Sequence, residues 1–394
     1  MSSTPEASAY LDHAATTPLR PVAAEAMVGA HAVVGNPSST HAAGRRARAR
    51  LEEAREALAE SLDADPTEVV WTSGGTEADN LAVVGAWRAR PAGRDRLVVG
   101  AVEHHAVLDA VDHLVAHEGA QVTWLAPDPD GRVRPDAVAT ALASADDVAL
   151  VSVMWAGNEV GVVHDLPAIA TVAHESGIPV HSDAVAAFGH LPLSFRQSGV
   201  DLLSVTAHKL GGPVGTGALV VRRGIPLAPM TYGGGQERRL RSGTLDVAGA
   251  AGFAAAAQEA CATLPAESAR TLALRDRLLA GASDLGLAVT GDWVPGDGVG
   301  RLPGNVSLWV PGADVDALLS LLDLAGVSVA AGSACTAGVA RFSHVLTAMG
   351  YAEGTGAPLR ATLGWSSTEA DVEALLTALP GAVAGARRAL EAAR

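Results

Sequence analysis

The sequence predicts an α/β protein, with a large domain on a mostly parallel sheet and a smaller α+β domain beside it. Three observations carry this. Short apolar runs alternate with helical segments over the first two-thirds of the 394 residues. Many of the runs, such as VALVSVMW and TGALVVRR, are almost continuously apolar, as strands covered on both faces are. After about residue 260 the pattern changes to long helices separated by short strands. We place the large domain at 14–261 and the small one at 1–13 and 262–394.

Taken in order, RRARARLEEAREALAESL (45–62) is rich in helix formers and reads as an amphipathic helix. EVVWT (68–72) is a strand that stops at SGGTEADN (73–80), and a helical LAVVGAWRA follows. RLVVGA (96–101) is a strand, and AVLDAVDHLVAHEG (106–119) is a helix with a glycine stop. QVTWLA and VALVSVMW continue the strands, LPAIATVAHESG is the next helix, and IPVHSD (178–183), LLSVTAHK (202–209) and TGALVVRR (216–223) close the series. In the last third, ARTLALRDRLLAGASDLG and ADVDALLSLLDLAG are helices, while LAVTGD, NVSLWV and VSVAAG are short strands. The C-terminal ADVEALLTALPGAVAGARRALEAAR is helical with a Pro-Gly interruption.

Composition excludes several classes. Lys and Arg total 28 against 43 acidic residues, a net charge of −15, so the basic field of a general nucleic-acid binder is missing. Two cysteines, Cys261 and Cys335, cannot build a disulfide framework. The first residues show no basic-then-apolar leader, and every long apolar run is broken by Gly, Asp or His. A cytoplasmic protein without a membrane span is the expectation.

One count is more pointed. Lys209 is the only lysine, against 27 arginines. Arginine replaces lysine on a solvated face but cannot form the imine that an amine forms with an aldehyde, which marks Lys209 as a covalent candidate. A lone surface lysine explains the count as well. Ser73 to Thr76 follow a strand and precede a helix, so free N–H groups there can hold a phosphate. A plain glycine-rich turn is the competing reading. His104 can cap a helix or form a platform over a flat ring, and no HExxH or similar metal pattern accompanies it. Asp183, ending IPVHSD, can pair with a protonated ring nitrogen or serve as a structural acid. Thr206 and His208 sit just before Lys209. Together these groups make pyridoxal 5'-phosphate more economical than NAD or a metal. Cys335, in VSVAAGSACTAG (327–338), is a candidate nucleophile or a small packing residue, whereas Cys261 lies in an Ala-rich segment and reads as buried.

The chain resembles the class I cysteine desulfurases, PLP-dependent transferases of fold type I related to aspartate aminotransferase. NPSSTHAAGRRAR (36–48), TSGGTEADNLAV (72–83), VEHHAVLD (102–109), NEVG (158–161), HSDAV (181–185), TAHKLGGPVGTGAL (206–219), GGGQERRLRSGT (233–244) and GSACTAG (332–338) carry the resemblance, which runs from YLDHAATTP (10–18) to LRATLGWSSTEADV (359–372).

The resemblance implies roles. Lys209 is the Schiff-base lysine, His104 stacks on the ring and assists proton transfer, and Asp183 pairs with the ring nitrogen. Gly75, Thr76, Thr206 and His208 hold the phosphate, and Thr244 reaches the phosphate of the other subunit, which implies a homodimer. Asn36, Asn158 and Arg360 serve the substrate, Arg360 through its carboxylate. The implied reaction turns L-cysteine into L-alanine by way of a Cys335 persulfide, whose sulfur goes to an acceptor or iron–sulfur scaffold protein. No metal is implied. The chain departs from the pattern at Ala186, where Gln is usual, at Gly157, the first Asn of the usual NNE, and at Phe342, where Pro is common. Another PLP-dependent lyase of sulfur or selenium amino acids, or a noncatalytic sulfur-transfer scaffold, remains an alternative.

Overall fold

The computed structural model describes residues 9–291, 300–332 and 342–392. The chain enters through β1 (Ala9–Tyr10), α1 (Pro21–His31) and α2 (Ala42–Leu62). It then alternates β2 (Val69–Thr72), α3 (Gly75–Ala89), β3 (Arg96–Gly100), α4 (His105–Glu118), β4 (Gln121–Leu125), α5 (Pro135–Ala143), β5 (Val148–Ser152), α6 (Leu166–Glu175) and β6 (Val180–Asp183). A short α7 (Phe195–Ser198), β7 (Leu202–Thr206) and β8 (Gly217–Val221) complete this part. The remainder is α8 (Val247–Asp284), β9 (Ala288–Val289), β10 (Asn305–Pro311), α9 (Val315–Leu324), β11 (Val327–Ser328), α10 (His344–Ala348), β12 (Gly356–Thr362) and α11 (Glu369–Ala392).

Seven strands form one sheet in the order β2-β8-β7-β6-β5-β3-β4, and β8 alone runs against its neighbours. Helices cover both faces. Val69 and Trp71 join the core on one side and Val70 the core on the other; Val98 faces oppositely to Leu97 and Val99. Two buried faces explain why these strands lack polar alternation. A third apolar cluster joins Ala9 and Leu11 to Leu278, Val306, Leu308, Leu359 and Leu375, around the antiparallel sheet β12-β10-β9.

Several elements differ from the sequence reading. Helix α3 starts at Gly75, inside the segment read as a loop. Helices α1 and α5 and strand β12 were not anticipated. The break expected at Pro380 is absent, since α11 runs through it with Leu375 and Leu379 buried before it and Ala382 and Val383 after. Helix α8 likewise passes Pro265, and residue 262, the start proposed for the small domain, falls within it. Its first half packs Ala256, Ala257 and Ala260 in the large core, while its second half packs Leu274 and Leu278 in the small cluster. Apolar burial on both sides outweighs the one backbone hydrogen bond that proline removes.

Candidate active site

The C-terminal ends of β2, β5, β6 and β7 open into one cavity of about 240 Å³, the position where parallel sheets expose loops and helix N-termini. Gly75 and Thr76 reach it from the first turn of α3. A side chain at 75 would meet Val185 Cγ2 at 2.7 Å, and one at 217 would run into the Gly74 backbone at 2.6 Å. Glycine at these two positions lets the start of α3 lie directly against β8 and the β6 loop, presenting unsatisfied helix N–H groups to the cavity.

Of the residues anticipated from sequence, Gly75, Thr76, His104, Asn158, Asp183, Thr206, His208, Lys209 and Arg360 all line this cavity. Lys209 Nζ donates to the carbonyl oxygens of Ala14 and Ala15, the latter at 2.8 Å. His104 is the N-cap of α4, its Nδ1 accepting the Ala106 N–H at 3.1 Å. This fixes the proton of a neutral ring on Nε2, which leaves that edge a donor rather than a metal ligand. Thus Asp79, His104 and Asp183, which have ligand atoms within 4.8 Å of one another, suit a protonated ring nitrogen better than a cation held by three lone pairs. Burial and then the Lys209 charge lower the His208 pKa to about 4.

Asp183 is buried, and its Oδ1 accepts the Val185 N–H at 2.8 Å. Burial, with the Asp79 charge second, pushes its pKa up to about 7, and His104 pulls the other way. A cationic N–H entering the cavity would relieve that penalty. The pocket therefore fits PLP by its chemistry: a carboxylate in want of a cation, an amine, and a helix N-terminus.

Arg360, on β12, donates from Nη1 to the Asn158 carbonyl at 3.2 Å and from Nη2 to Asp12 at 2.8 Å. Its Nε is buried without a hydrogen-bond partner among the described residues, an open donor for a carboxylate. Ala186 is part of the cavity wall and brings no amide.

Asn36 does not line the cavity of its own chain. It is exposed, and its Oδ1 accepts the Ser38 N–H at 2.9 Å, closing the turn that leads to α2. Thr244 is exposed and also outside this cavity. Cys335 lies outside the described residues; Phe342, beyond it, packs edge-on to Trp309. Cys261 Sγ donates to the Ser61 carbonyl, and burial raises its pKa, which disfavours a thiolate.

Sequence reasoning missed Asp79, Asp12 and Asn305. Asp79 is an acid among buried Ala78, Leu81 and Ala82, a signal visible only once α3 is started at Gly75. Asn305, at the start of β10, has a buried Oδ1 without a partner among the described residues, and Asp12 precedes the histidine of YLDHAATTP.

An amine, a buried carboxylate and a helix N-terminus gathered at the mouth of a parallel sheet define the PLP-dependent transferase class. The chain matches aminotransferase class-V over residues 9–375 and belongs to that family, in its class I cysteine desulfurase branch, with PLP as its cofactor. It is 54% identical over 391 residues to an IscS-like cysteine desulfurase of Mycobacterium tuberculosis (strain ATCC 25618 / H37Rv), with 98% of each chain covered. It is 41% identical over 382 residues to a cysteine desulfurase of Gluconacetobacter diazotrophicus, covering 96% of this chain and 94% of the relative. Among solved structures, a NifS-like protein superposes with a TM-score of 0.87 at 31% identity, over 95% of this chain and 99% of the other. DndA of Streptomyces lividans superposes with a TM-score of 0.75 at 34% identity, over 88% and 97%.

Proposed function

We propose that this PLP-dependent cysteine desulfurase converts L-cysteine to L-alanine through a persulfide on Cys335 and passes the sulfur to an acceptor or iron–sulfur scaffold protein. The observation that carries the reading is the convergence of Lys209, Asp183 and Arg360, from three separate elements, on one cavity. When bound, PLP supplies an aldehyde and an electron-withdrawing ring that acidify the Cα–H of an amino acid. Arg360 holds the substrate carboxylate through its open Nε, beside Asn158. Asp183 keeps the ring nitrogen protonated. Lys209 anchors the cofactor when no substrate is bound and, with His104, moves protons at the substrate. Gly75, Thr76, Thr206 and His208 hold the phosphate.

In the sulfur step the Cys335 thiolate forms a bond to the substrate sulfur. The Cβ–S bond breaks, its electron pair stays with carbon, and a proton on Cβ completes alanine. An acceptor thiol then takes the outer sulfur.

We further propose a homodimer in which Thr244 completes the partner's phosphate site. Val34, Val214 and Tyr232 support a second copy as large apolar side chains that are exposed in the single chain, Tyr232 directly preceding the 233–244 segment. We place the enzyme in the cytoplasm, with no nucleic-acid or membrane partner; among the described residues no helix is long and apolar enough to cross a membrane.

The test is a cysteine turnover assay that measures alanine and sulfide together and traps protein persulfide, on wild type, Cys335→Ala and Cys261→Ala. Cys335→Ala is expected to keep the bound cofactor and lose alanine formation, while Cys261→Ala keeps both. Normal turnover without Cys335 would overturn the sulfur route.

A further inference from the structure

Beneath the cavity a buried polar row crosses three neighbouring strands of the sheet. Ser152 on β5, His181 on β6 and Ser204 on β7 are all fully buried. His181 Nδ1 lies 2.9 Å from Ser152 Oγ and Nε2 lies 3.0 Å from Ser204 Oγ. The register places Ser152 opposite His181 and Ser204 opposite Asp183. His181 and Asp183 are two residues apart on one strand and share a face. From α3, Asp79 comes down onto that face with 1% exposure. Its Oδ1 stands 3.5 Å from His181 Nε2 and has no hydrogen-bond partner among the described residues. Burying such a row costs energy that packing does not return, so its placement against Asp183 calls for a role.

We propose that Asp79, oriented by His181, is a positioning residue for the cofactor's ring nitrogen, setting a second negative charge behind Asp183. The proposal rests on the reading that Asp183 faces that nitrogen. The groups facing Asp183 are Asp79 from α3, Glu103 and His104 from the segment between β3 and α4, and His181 from its own strand. Burial pushes Glu103 well above the ordinary carboxylate range, whereas Asp79 is, after burial, the second cause that raises the Asp183 carboxyl. In a site of low dielectric, two carboxylates stabilise one ring N–H⁺ more strongly than one does.

The test uses full-length enzyme loaded with PLP labelled with ¹⁵N in the ring, read by ¹⁵N NMR across pH and by the rate of PLP release. Asp79→Asn keeps the shape and removes the charge. It is expected to move the ring resonance toward the unprotonated position, to lower the pH at which the ring proton is lost by about one unit, and to speed PLP release ~10-fold. Asp79→Glu restores the resonance, and His181→Gln moves it in the same direction by less. Asp183→Asn reports on the underlying reading: a resonance unmoved there removes the basis of the proposal. A resonance that responds to Asp183→Asn but not to Asp79→Asn overturns the proposal itself. Should Asp79→Asn fail to fold, an unmoved resonance in His181→Gln does so in its place.

Discussion

Arg360 Nη2 donates to Asp12 Oδ1 at 2.8 Å, so the guanidinium that faces the cavity is already paired from behind. The two residues lie 348 positions apart, and β12 is joined to the entering chain by the Asp12–Thr362 bridge. The Arg360 side chain is only 3% exposed, so removing its anion leaves a buried charge that a substrate carboxylate can partly compensate. Asp12→Asn is expected to lower the stability of the substrate-free enzyme by about 3 kcal/mol. L-alanine, the product, should then raise the melting temperature more in the variant than in wild type. Equal ligand-induced shifts would show that Asp12 does not balance Arg360.

Asp183 predicts a pH dependence of the cofactor-free protein. Its folded pKa of about 7 lies above the ordinary 3.8, so between about pH 4 and pH 7 the folded chain holds a proton that the unfolded chain has released. The Asp183 contribution to stability therefore falls as pH rises through this window and levels off above it. His13, His164 and His208, each lowered to about 4 by burial, act in the opposite sense: their contribution is present above about pH 6.5 and is lost as pH falls through 4. Asp183→Asn keeps those histidines and removes the acid. From pH 5 to pH 8 the denaturant midpoint should rise less in wild type than in Asp183→Asn, and parallel profiles would contradict the assignment.

The sheet was legible because strands covered on both faces cannot hide their composition, and Lys209 stood out because arginine cannot do amine chemistry. Strand direction was not legible. β8 is antiparallel to β2, which lies about 150 residues earlier, and nothing local in GALVV encodes that pairing. Arg360 could be placed only through resemblance, because GAPLRAT carries Gly and Pro and shows no strand period. Asp79 was missed since SGGTEADN reads as a loop from its glycines. The N-terminal helix turn starts there because Gly75 permits the approach of Val185 and Gly217 that of β8 to Gly74, a tertiary cause. Neither Pro265 nor Pro380 broke its helix, because both helices bury apolar residues on each side of the ring.

Lys209 should carry the cofactor covalently. Borohydride treatment is expected to abolish the visible absorption band of purified enzyme and to leave a pyridoxyl adduct on the Lys209 peptide. Lys209→Ala still presents the N-terminus of α3 and Asp183 to the cavity, so it should bind PLP noncovalently while turnover falls by about 10²–10⁴-fold. An adduct elsewhere, or unchanged turnover in the variant, would reassign the amine.

The segment leading to Thr244 is held by an ion pair whose strength can be measured. Arg55 Nη2 and Nη1 meet Glu237 Oε1 and Oε2 at 2.7 and 2.8 Å, and Glu237 Oε2 also accepts the Trp71 N–H at 2.8 Å. Glu237, Arg238 and Arg239 have φ of 42°, 55° and 65°, three successive non-glycine residues in the left-handed region, which costs roughly 1–2 kcal/mol each. The bidentate pair holds that backbone against β2. Breaking a buried pair from one side costs about 3–5 kcal/mol, so Arg55→Ala and Glu237→Ala should each destabilise by that order, and the double variant by much less than their sum. If Thr244 serves the partner's phosphate site, each variant also releases PLP faster and weakens the dimer in light scattering. Denaturant unfolding of the four proteins in this cycle decides the first point: additive losses would mean that Arg55 and Glu237 act independently and that the left-handed stretch is held by something else.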